Sequence, residues 1–238
     1  MNVKKLFGIV FILFFCCALP AITHAQDKSK GNIGVYIGLV GGSSLSDDIK
    51  TKIDNTQNPA DSFSVDFGMK SGYLAGAKIG WQTSFTKKIL AMELEYNHIN
   101  NNMENWTAFD GYKLDPHIPV DGKIQIDALF FNLLARYPDG PFHPYIGGGV
   151  GYSTVKVSDT TAHSGIIMNI GQGEQSSLAY QLTAGVDFDI AKHFTIGFGY
   201  KYIAIPKISF ENSLDNAPAS TEMEYYSHNF ILSACFTF

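Results

Sequence analysis

Charge and cysteine are scarce in this chain of 238 residues. Only 16% of the residues are charged, and the formal net charge is −5; soluble domains have about a quarter of their residues charged. This composition argues against nucleic-acid binding, which depends on a basic surface. The three cysteines and seven histidines show no spacing typical of a metal site, which needs several converging ligands. We therefore expect no nucleic acid, cofactor or metal.

Aromatic residues and glycine are abundant by contrast. The chain has 18 Phe, 12 Tyr and 23 Gly, and apolar residues make up 45% of it. Such a composition argues against a disordered chain and against a coiled coil. The length is that of one domain.

The first 25 residues have the pattern of an export signal. Lys4 and Lys5 precede an apolar run over residues 6–19, and small residues lead up to Ala25. The run is short for a transmembrane helix and suits a signal peptide. We expect cleavage after Ala25, which leaves residues 26–238 with a net charge of −5 − 2 = −7 and Cys235 as the one remaining cysteine. An uncleaved anchor and a lipoprotein signal are the alternatives.

The rest of the chain alternates apolar and polar residues with a period of two. In residues 69–83, Tyr73, Ala75 and Trp81 share one face, while Lys78 lies on the other. Eight such segments are separated by turn residues, over 32–42, 69–83, 89–99, 122–137, 143–155, 178–188, 194–202 and 229–238. This pattern predicts an all-β fold, an antiparallel up-and-down transmembrane β-barrel of eight strands. A water-soluble barrel of the lipocalin type is the alternative.

Short and long connections alternate between these segments. The short ones are 84–88, 138–142 and 190–191, and the long ones are about 43–68, 100–121, 156–175 and 204–221. Outer-membrane barrels have short periplasmic turns and long extracellular loops. We therefore expect a protein of the cell outer membrane with four extracellular loops and both termini in the periplasm. A ten-stranded count would follow if the 156–175 segment contributed strands.

Aromatic side chains are expected on the outward face at both ends of the strands, where they would meet the two membrane–water interfaces. At the periplasmic ends these residues are Trp81, Tyr137, Phe188, Phe194, Phe236 and Phe238. Towards the outer ends they are Tyr73, Tyr96, Tyr152, Tyr180, Tyr200 and Tyr202.

Four short motifs resemble those of a known family. Residues 144–152 read Pro-Tyr-Ile-Gly-Gly-Gly-Val-Gly-Tyr, 185–188 read Gly-Val-Asp-Phe, 199–202 read Gly-Tyr-Lys-Tyr, and the chain ends in Phe-Thr-Phe. Together they are similar to the small eight-stranded outer-membrane barrels that include the OmpA transmembrane domain and the opacity (Opa) adhesins. The resemblance implies that Phe236 and Phe238 form a C-terminal signal read by the outer-membrane insertion machinery. It also implies contact with outer-membrane lipids and with an extracellular or host protein.

Polar residues on the inward faces predict a network inside the barrel. The candidates are Lys78, Glu93, Glu95, Asn132, Arg136, Gln181, Asp187 and Lys201, in which three cations balance three anions. Buried charges persist when they are paired, and we expect Arg136 to pair with Glu93 or Glu95. This network is interpreted as a structural plug, with a narrow or gated pore as the alternative.

The long loops are the expected site of function. Trp106, Phe109 and Tyr112 fall outside the predicted strands, where exposed rings either bind a protein partner or pack over the mouth of the barrel. Our first hypothesis is a non-enzymatic surface protein for adhesion, interaction or envelope integrity. A small porin-like channel is the alternative. A lipid-modifying enzyme that uses His98 or His228 has less support, because neither has a serine two residues away on the same face.

Overall fold

The structure is a computed structural model that describes residues 34–55, 62–110, 112–158, 161–162, 173–214 and 217–238. The predicted signal peptide, residues 1–25, lies outside the described residues. In the described ranges, no helix is long and apolar enough to cross a membrane.

Antiparallel β-strands make up nearly all of this structure, and a single turn of 3₁₀-helix spans Ser84–Thr86. The strands are β1 (Val35–Ser46), β2 (Ile49–Asn55), β3 (Phe63–Met69), β4 (Gly72–Gln82), β5 (Leu90–Phe109), β6 (Tyr112–Arg136), β7 (Phe142–Val157), β8 (Thr161–Ala162), β9 (Gly173–Ala191), β10 (Phe194–Leu214) and β11 (Ala217–Thr237).

The strands close into a ring of eight. Its order is β1-β4-β5-β6-β7-β9-β10-β11, and β11 pairs back onto β1. Strands β2 and β3 take the places of β1 and β4 beyond the ends of those strands. There β2 pairs with β11, β2 pairs with β3, and β3 pairs with β5, so the wall stays closed. The predicted eight-stranded, antiparallel up-and-down barrel is therefore confirmed. Closure removes every free edge from this ring, which suits a wall surrounded by lipid.

The two ends of the barrel differ. At one end, called the turn end here, β4 and β5 are joined through residues 83–89, β6 and β7 through 137–141, and β9 and β10 through 192–193. The start of β1 and the end of β11 lie at this same end, since Tyr36 pairs with Thr237. The opposite end is called the hairpin end.

Three of the four segments predicted as long loops, 43–68, 100–121 and 204–221, are largely β-strand, which corrects that part of the prediction. Most of the fourth, 156–175, lies outside the described residues. Strands β5 and β6 stay paired as far as Phe109 and Tyr112, and β10 and β11 as far as Leu214 and Ala217. Trp106 and Phe109 therefore belong to β5 and Tyr112 to β6, although their side chains lie outside the described part. Backbone pairing continues where the apolar–polar alternation stops, so the alternation marked only part of each strand.

The outward face is apolar and exposed in the middle of the wall. In β1, Ile37 and Leu39 point outward and Tyr36 and Val40 are buried inside. The same division holds in β10, where Phe198 is exposed and Ile203 is buried. The core of the molecule is thus the interior of the barrel.

Candidate functional site: the barrel interior and its rim

The eight polar residues predicted to point inward all lie in the barrel interior. The side chains of the six charged ones are at most 14% exposed, and Asn132 and Gln181 are buried. Alternation places them there, because successive side chains of a strand point to opposite faces. The structure divides them into two groups at different heights.

Glu95 is the centre of the group in the middle of the barrel. It forms an ion pair with Lys201, and Asn132 Nδ2 and Gln181 Nε2 each donate a hydrogen bond to its Oε2 at 3.0 Å. Gln181 Nε2 also donates to Asn132 Oδ1 at 2.6 Å. The charge of Glu95 is thus compensated by one cation and two amide groups, as a buried carboxylate requires.

The second group lies nearer the turn end. Lys78 Nζ is 3.0 Å from Glu93 Oε1, and the Tyr36 hydroxyl donates to the same oxygen at 2.6 Å. Arg136 Nε is 3.4 Å from Asp187 Oδ2. Every charged residue of the predicted network therefore has a partner of opposite sign.

The partner predicted for Arg136 was wrong. Arg136 pairs with Asp187, while Glu93 pairs with Lys78. The register explains the difference: Glu93 is opposite Asn132 on β6, four residues before Arg136. Arg136 instead reaches Asp187 on β9, two strands further along the ring.

A small cavity remains beside this second group. Its volume is about 20 Å³, and its lining includes Tyr36, Lys78, Arg136, Asp187 and Cys235. A space of this size holds about one water molecule. The interior at the turn end is therefore polar and incompletely filled.

Towards the hairpin end the interior holds a large cluster of apolar side chains beside buried polar ones such as Asn97 and Asn101, and the sequence analysis missed this cluster. Ile99, Phe130, Ile203 and Tyr225 are at most 1% exposed and belong to one cluster of buried apolar side chains. We call this cluster the apolar layer; it also contains Leu74, Ile124, Ile126, Val155, Ile205 and Ile208. The signal was present in the alternation, since Ile99 follows Glu95 by four residues and Ile203 follows Lys201 by two.

The twelve predicted interface aromatics all lie on the outward face. Each is exposed or half-buried, and none is buried. Phe236 and Phe238 lie at the end of β11, with ring centroids 5.3 Å apart in an edge-to-face arrangement. Tyr202 stacks on Tyr226 near the hairpin end, with centroids 6.3 Å apart.

Two histidines lie on the outward face near the hairpin end. His98 Nδ1 is 2.9 Å from Asp127 Oδ1. The second ring, His228, has Nδ1 at 2.6 Å from the Tyr200 hydroxyl and Nε2 at 3.6 Å from Asp47 Oδ1. In the described ranges no serine hydroxyl bonds to either ring, and no group of three potential ligands could hold a metal ion.

A closed ring of strands with an apolar outer wall, aromatic residues at both ends and buried ion pairs inside is typical of a transmembrane β-barrel of the outer membrane. The chain belongs to the outer membrane protein beta-barrel domain family, whose model matches residues 9–238. No curated protein matches the chain.

The chain is also similar in fold to a solved structure. The outer membrane protein OprG from Pseudomonas aeruginosa is 17% identical, covers 85% of this chain and 96% of its own, and superposes with a TM-score of 0.54. This likeness shows a shared fold. Neisserial surface protein A (NspA) is 14% identical over 88% of this chain and 100% of its own, with a TM-score of 0.46. The outer membrane protease OmpT from Escherichia coli is 8% identical over 90% of this chain and 99% of its own, also with a TM-score of 0.46.

Proposed function

We propose that this protein is a non-enzymatic scaffold of the outer membrane, which presents its hairpin end at the cell surface for adhesion, interaction or envelope integrity. The observation that carries the proposal is the interior, which side chains fill except for small spaces such as the cavity of about 20 Å³ at the turn end. The apolar layer lies over a layer of paired charges, so that the wall encloses a packed core instead of a channel. An eight-stranded barrel is narrow enough for side chains to fill it.

The length of the strands supports a surface role for the hairpin end. Crossing a membrane takes about 9–11 residues of a tilted strand, whereas β6 has 25 residues and β10 and β11 have 21 each. The excess raises the hairpins above the membrane as a continuous, paired wall. Trp106, Phe109 and Tyr112 fall in this raised part, and we propose that they contact an extracellular or host protein.

The charged surface of the raised part is consistent with a position in water. Lys52 pairs with Asp54 at 3.0 Å. Lys70–Glu104, Lys156–Glu174 and Lys207–Glu222 form similar exposed pairs. Exposed pairs of this kind contribute little stability but favour solubility.

In the described ranges the ring nitrogens of His98 and His228 have Asp127 and the Tyr200 hydroxyl as hydrogen-bond partners and not a serine hydroxyl, which favours the non-enzymatic part of the proposal. Hydrolases with an activated serine need a hydroxyl within hydrogen-bond reach of the base. The terminal Phe236 and Phe238 would serve assembly by the insertion machinery.

Labelling of single cysteines on intact cells tests the orientation. Asp110→Cys, in the β5–β6 connection, is expected to react with a membrane-impermeant maleimide added outside. Asp139→Cys, in a connection at the turn end, is expected to react only after the outer membrane is permeabilised. Native Cys235 is buried, so the parent protein is the control for background. Labelling of Asp139→Cys alone on intact cells would refute the orientation.

A small channel is the second candidate, favoured by the polar cavity at the turn end. Planar bilayers distinguish the two functions, because a channel gives steady conductance and a filled scaffold gives none. A larger porin in the same bilayer is the positive control.

A further inference from the structure

A polar cluster lies on the outward face of β5 and β6 near the hairpin end. The Tyr96 hydroxyl donates to Asp127 Oδ1 at 2.5 Å, and His98 Nδ1 is 2.9 Å from the same oxygen. Both contacts fall on one carboxylate oxygen. In the described part of the chain, Asp127 Oδ2 and His98 Nε2 therefore keep their capacity for another hydrogen bond.

Two further residues extend this cluster along β4 and β5. Asn100 Nδ2 donates to the Tyr73 hydroxyl at 3.3 Å, and the Tyr73 ring centroid is 6.1 Å from that of His98. The cluster thus joins a carboxylate, an imidazole and a carboxamide to two tyrosine rings. Such a set of donors and acceptors matches a sugar, whose hydroxyls both donate and accept and whose ring can lie against an aromatic face.

An apolar groove adjoins the cluster on the lipid-facing wall. Ala77 stands between Leu39 and Tyr96 in the cross-strand row, and Leu39 has Ala234 on its other side. Because alanine is much smaller than its neighbours, the wall is depressed there, and the groove has a volume of about 620 Å³. Tyr96 belongs to both sites, since its ring lines the groove and its hydroxyl bonds to Asp127.

We propose that the groove and the polar cluster form one binding site for a glycolipid, with an acyl chain in the groove and the sugar headgroup on Asp127, His98 and Tyr96. The groove lies on the part of the wall that faces lipid hydrocarbon. The polar cluster lies at the border of this part, on the side of the hairpin end. A carboxylate repels the phosphate of a phospholipid but accepts hydrogen bonds from sugar hydroxyls. The orientation proposed above places the polar cluster towards the outer leaflet, and the groove runs from Tyr96 towards Phe194 and Phe236 near the turn end.

Native mass spectrometry of the folded protein in detergent tests this site. The probes are digalactosyldiacylglycerol, a glycolipid without phosphate, and phosphatidylglycerol, a phospholipid without sugar. The wild type is expected to bind the glycolipid more tightly than the phospholipid. Asp127→Asn is expected to weaken glycolipid binding about tenfold, the usual loss for one hydrogen bond to a charged group. Tyr96→Phe, which keeps the ring in the groove, is expected to weaken it by a smaller factor.

His228→Gln is the matched control, because His228 is also an outward histidine beside a tyrosine but lies outside the cluster. Its affinity is expected to equal that of the wild type. Heat-dependent gel mobility verifies that each variant is folded. Equal affinity of Asp127→Asn and the wild type, or equal affinity for both lipids, would overturn the proposal. Binding in detergent does not depend on orientation, so a failure of the cysteine labelling would be distinguishable.

Discussion

Lys201 on β10 and Glu95 on β5 form an ion pair across the interior of the barrel. Their strands stand opposite each other in the ring of eight, and their side chains are 4% and 1% exposed. The pair therefore ties together two walls that share no backbone hydrogen bonds. Because both charges are buried, each depends on the other for compensation.

Loss of Lys201 should strongly destabilise the barrel. Lys201→Met leaves Glu95 charged and buried without its cation, which costs about 3–5 kcal/mol. Adding Glu95→Gln removes the stranded charge and should restore most of that loss. Urea unfolding in lipid vesicles measures the free energies. The control is Lys52→Met, which breaks an exposed pair and should cost less than about 1 kcal/mol. Equal losses for the two lysines would contradict this account.

Gly149 should not tolerate a side chain. A Cβ at this position would lie 1.9 Å from Asn132 Oδ1 and 2.7 Å from the Phe131 carbonyl oxygen. Gly149→Ala is therefore expected to cost about 1–3 kcal/mol by overpacking. Gly41→Ala is the control, since nothing lies within 4 Å of its Cβ, and its free energy of unfolding should hardly change. The same urea titration compares the two, and an unaffected Gly149→Ala protein would refute the packing argument.

Replacing Lys88 by glycine should stabilise the protein. Lys88 has φ of 66° in the β4–β5 connection, a conformation that L residues other than glycine adopt at a cost. Lys88→Gly is expected to raise the free energy of unfolding by up to about 1 kcal/mol. Lys192→Gly is the control: Lys192 lies in the β9–β10 turn without a positive φ, and glycine there should be neutral or destabilising. Destabilisation by Lys88→Gly would show that the side chain matters more than the strain.

Removal of Arg136 should leave the barrel closed. Arg136→Ala leaves Asp187 unpaired near the turn end, but Ile99, Phe130 and Ile203 still fill the interior nearer the hairpin end. We therefore expect no steady conductance from Arg136→Ala in planar bilayers, as for the wild type. Steady conductance of the variant alone would show that the layer of paired charges is the seal. Steady conductance of the wild type would support the channel.

Trp81 should lie at a membrane interface. It is 37% exposed on the outward face next to the β4–β5 connection, where tryptophan favours the headgroup region. Trp106→Phe leaves Trp81 as the single tryptophan, because the chain has two. We expect its fluorescence to be quenched more by lipids brominated near the headgroup than by lipids brominated at the chain end. The opposite order would place it in the hydrocarbon centre.

The architecture could be predicted because alternation is a local property. Residues such as Tyr73, Ala75 and Trp81 reveal their shared face without knowledge of any partner strand. The same rule identified the six charged residues that form ion pairs inside the described part of the barrel, because charges that avoid lipid face inward. The rule did not predict where the strands end towards the hairpin end. The outward face there is no longer in lipid, so the alternation of apolar and polar residues weakens although strands such as β5 continue to Phe109.

Pairing inside the barrel depends on register and could not be predicted. Arg136 bonds to Asp187 because of heights along β6 and β9 that no single strand encodes. The cluster of Tyr96, His98 and Asp127 has the same origin: His98 and Asp127 stand opposite each other only because β5 and β6 pair in one particular register.

The sequence by itself determined which side chains face lipid, which face inward and how many strands form the wall, because these follow from a period of two along each strand. The tertiary structure decided which charges neutralise one another, where the apolar layer closes the interior and which outward groups meet at the rim. Those outcomes depend on closure of the ring, which fixes the height of each strand against its neighbours and brings together residues far apart in the chain.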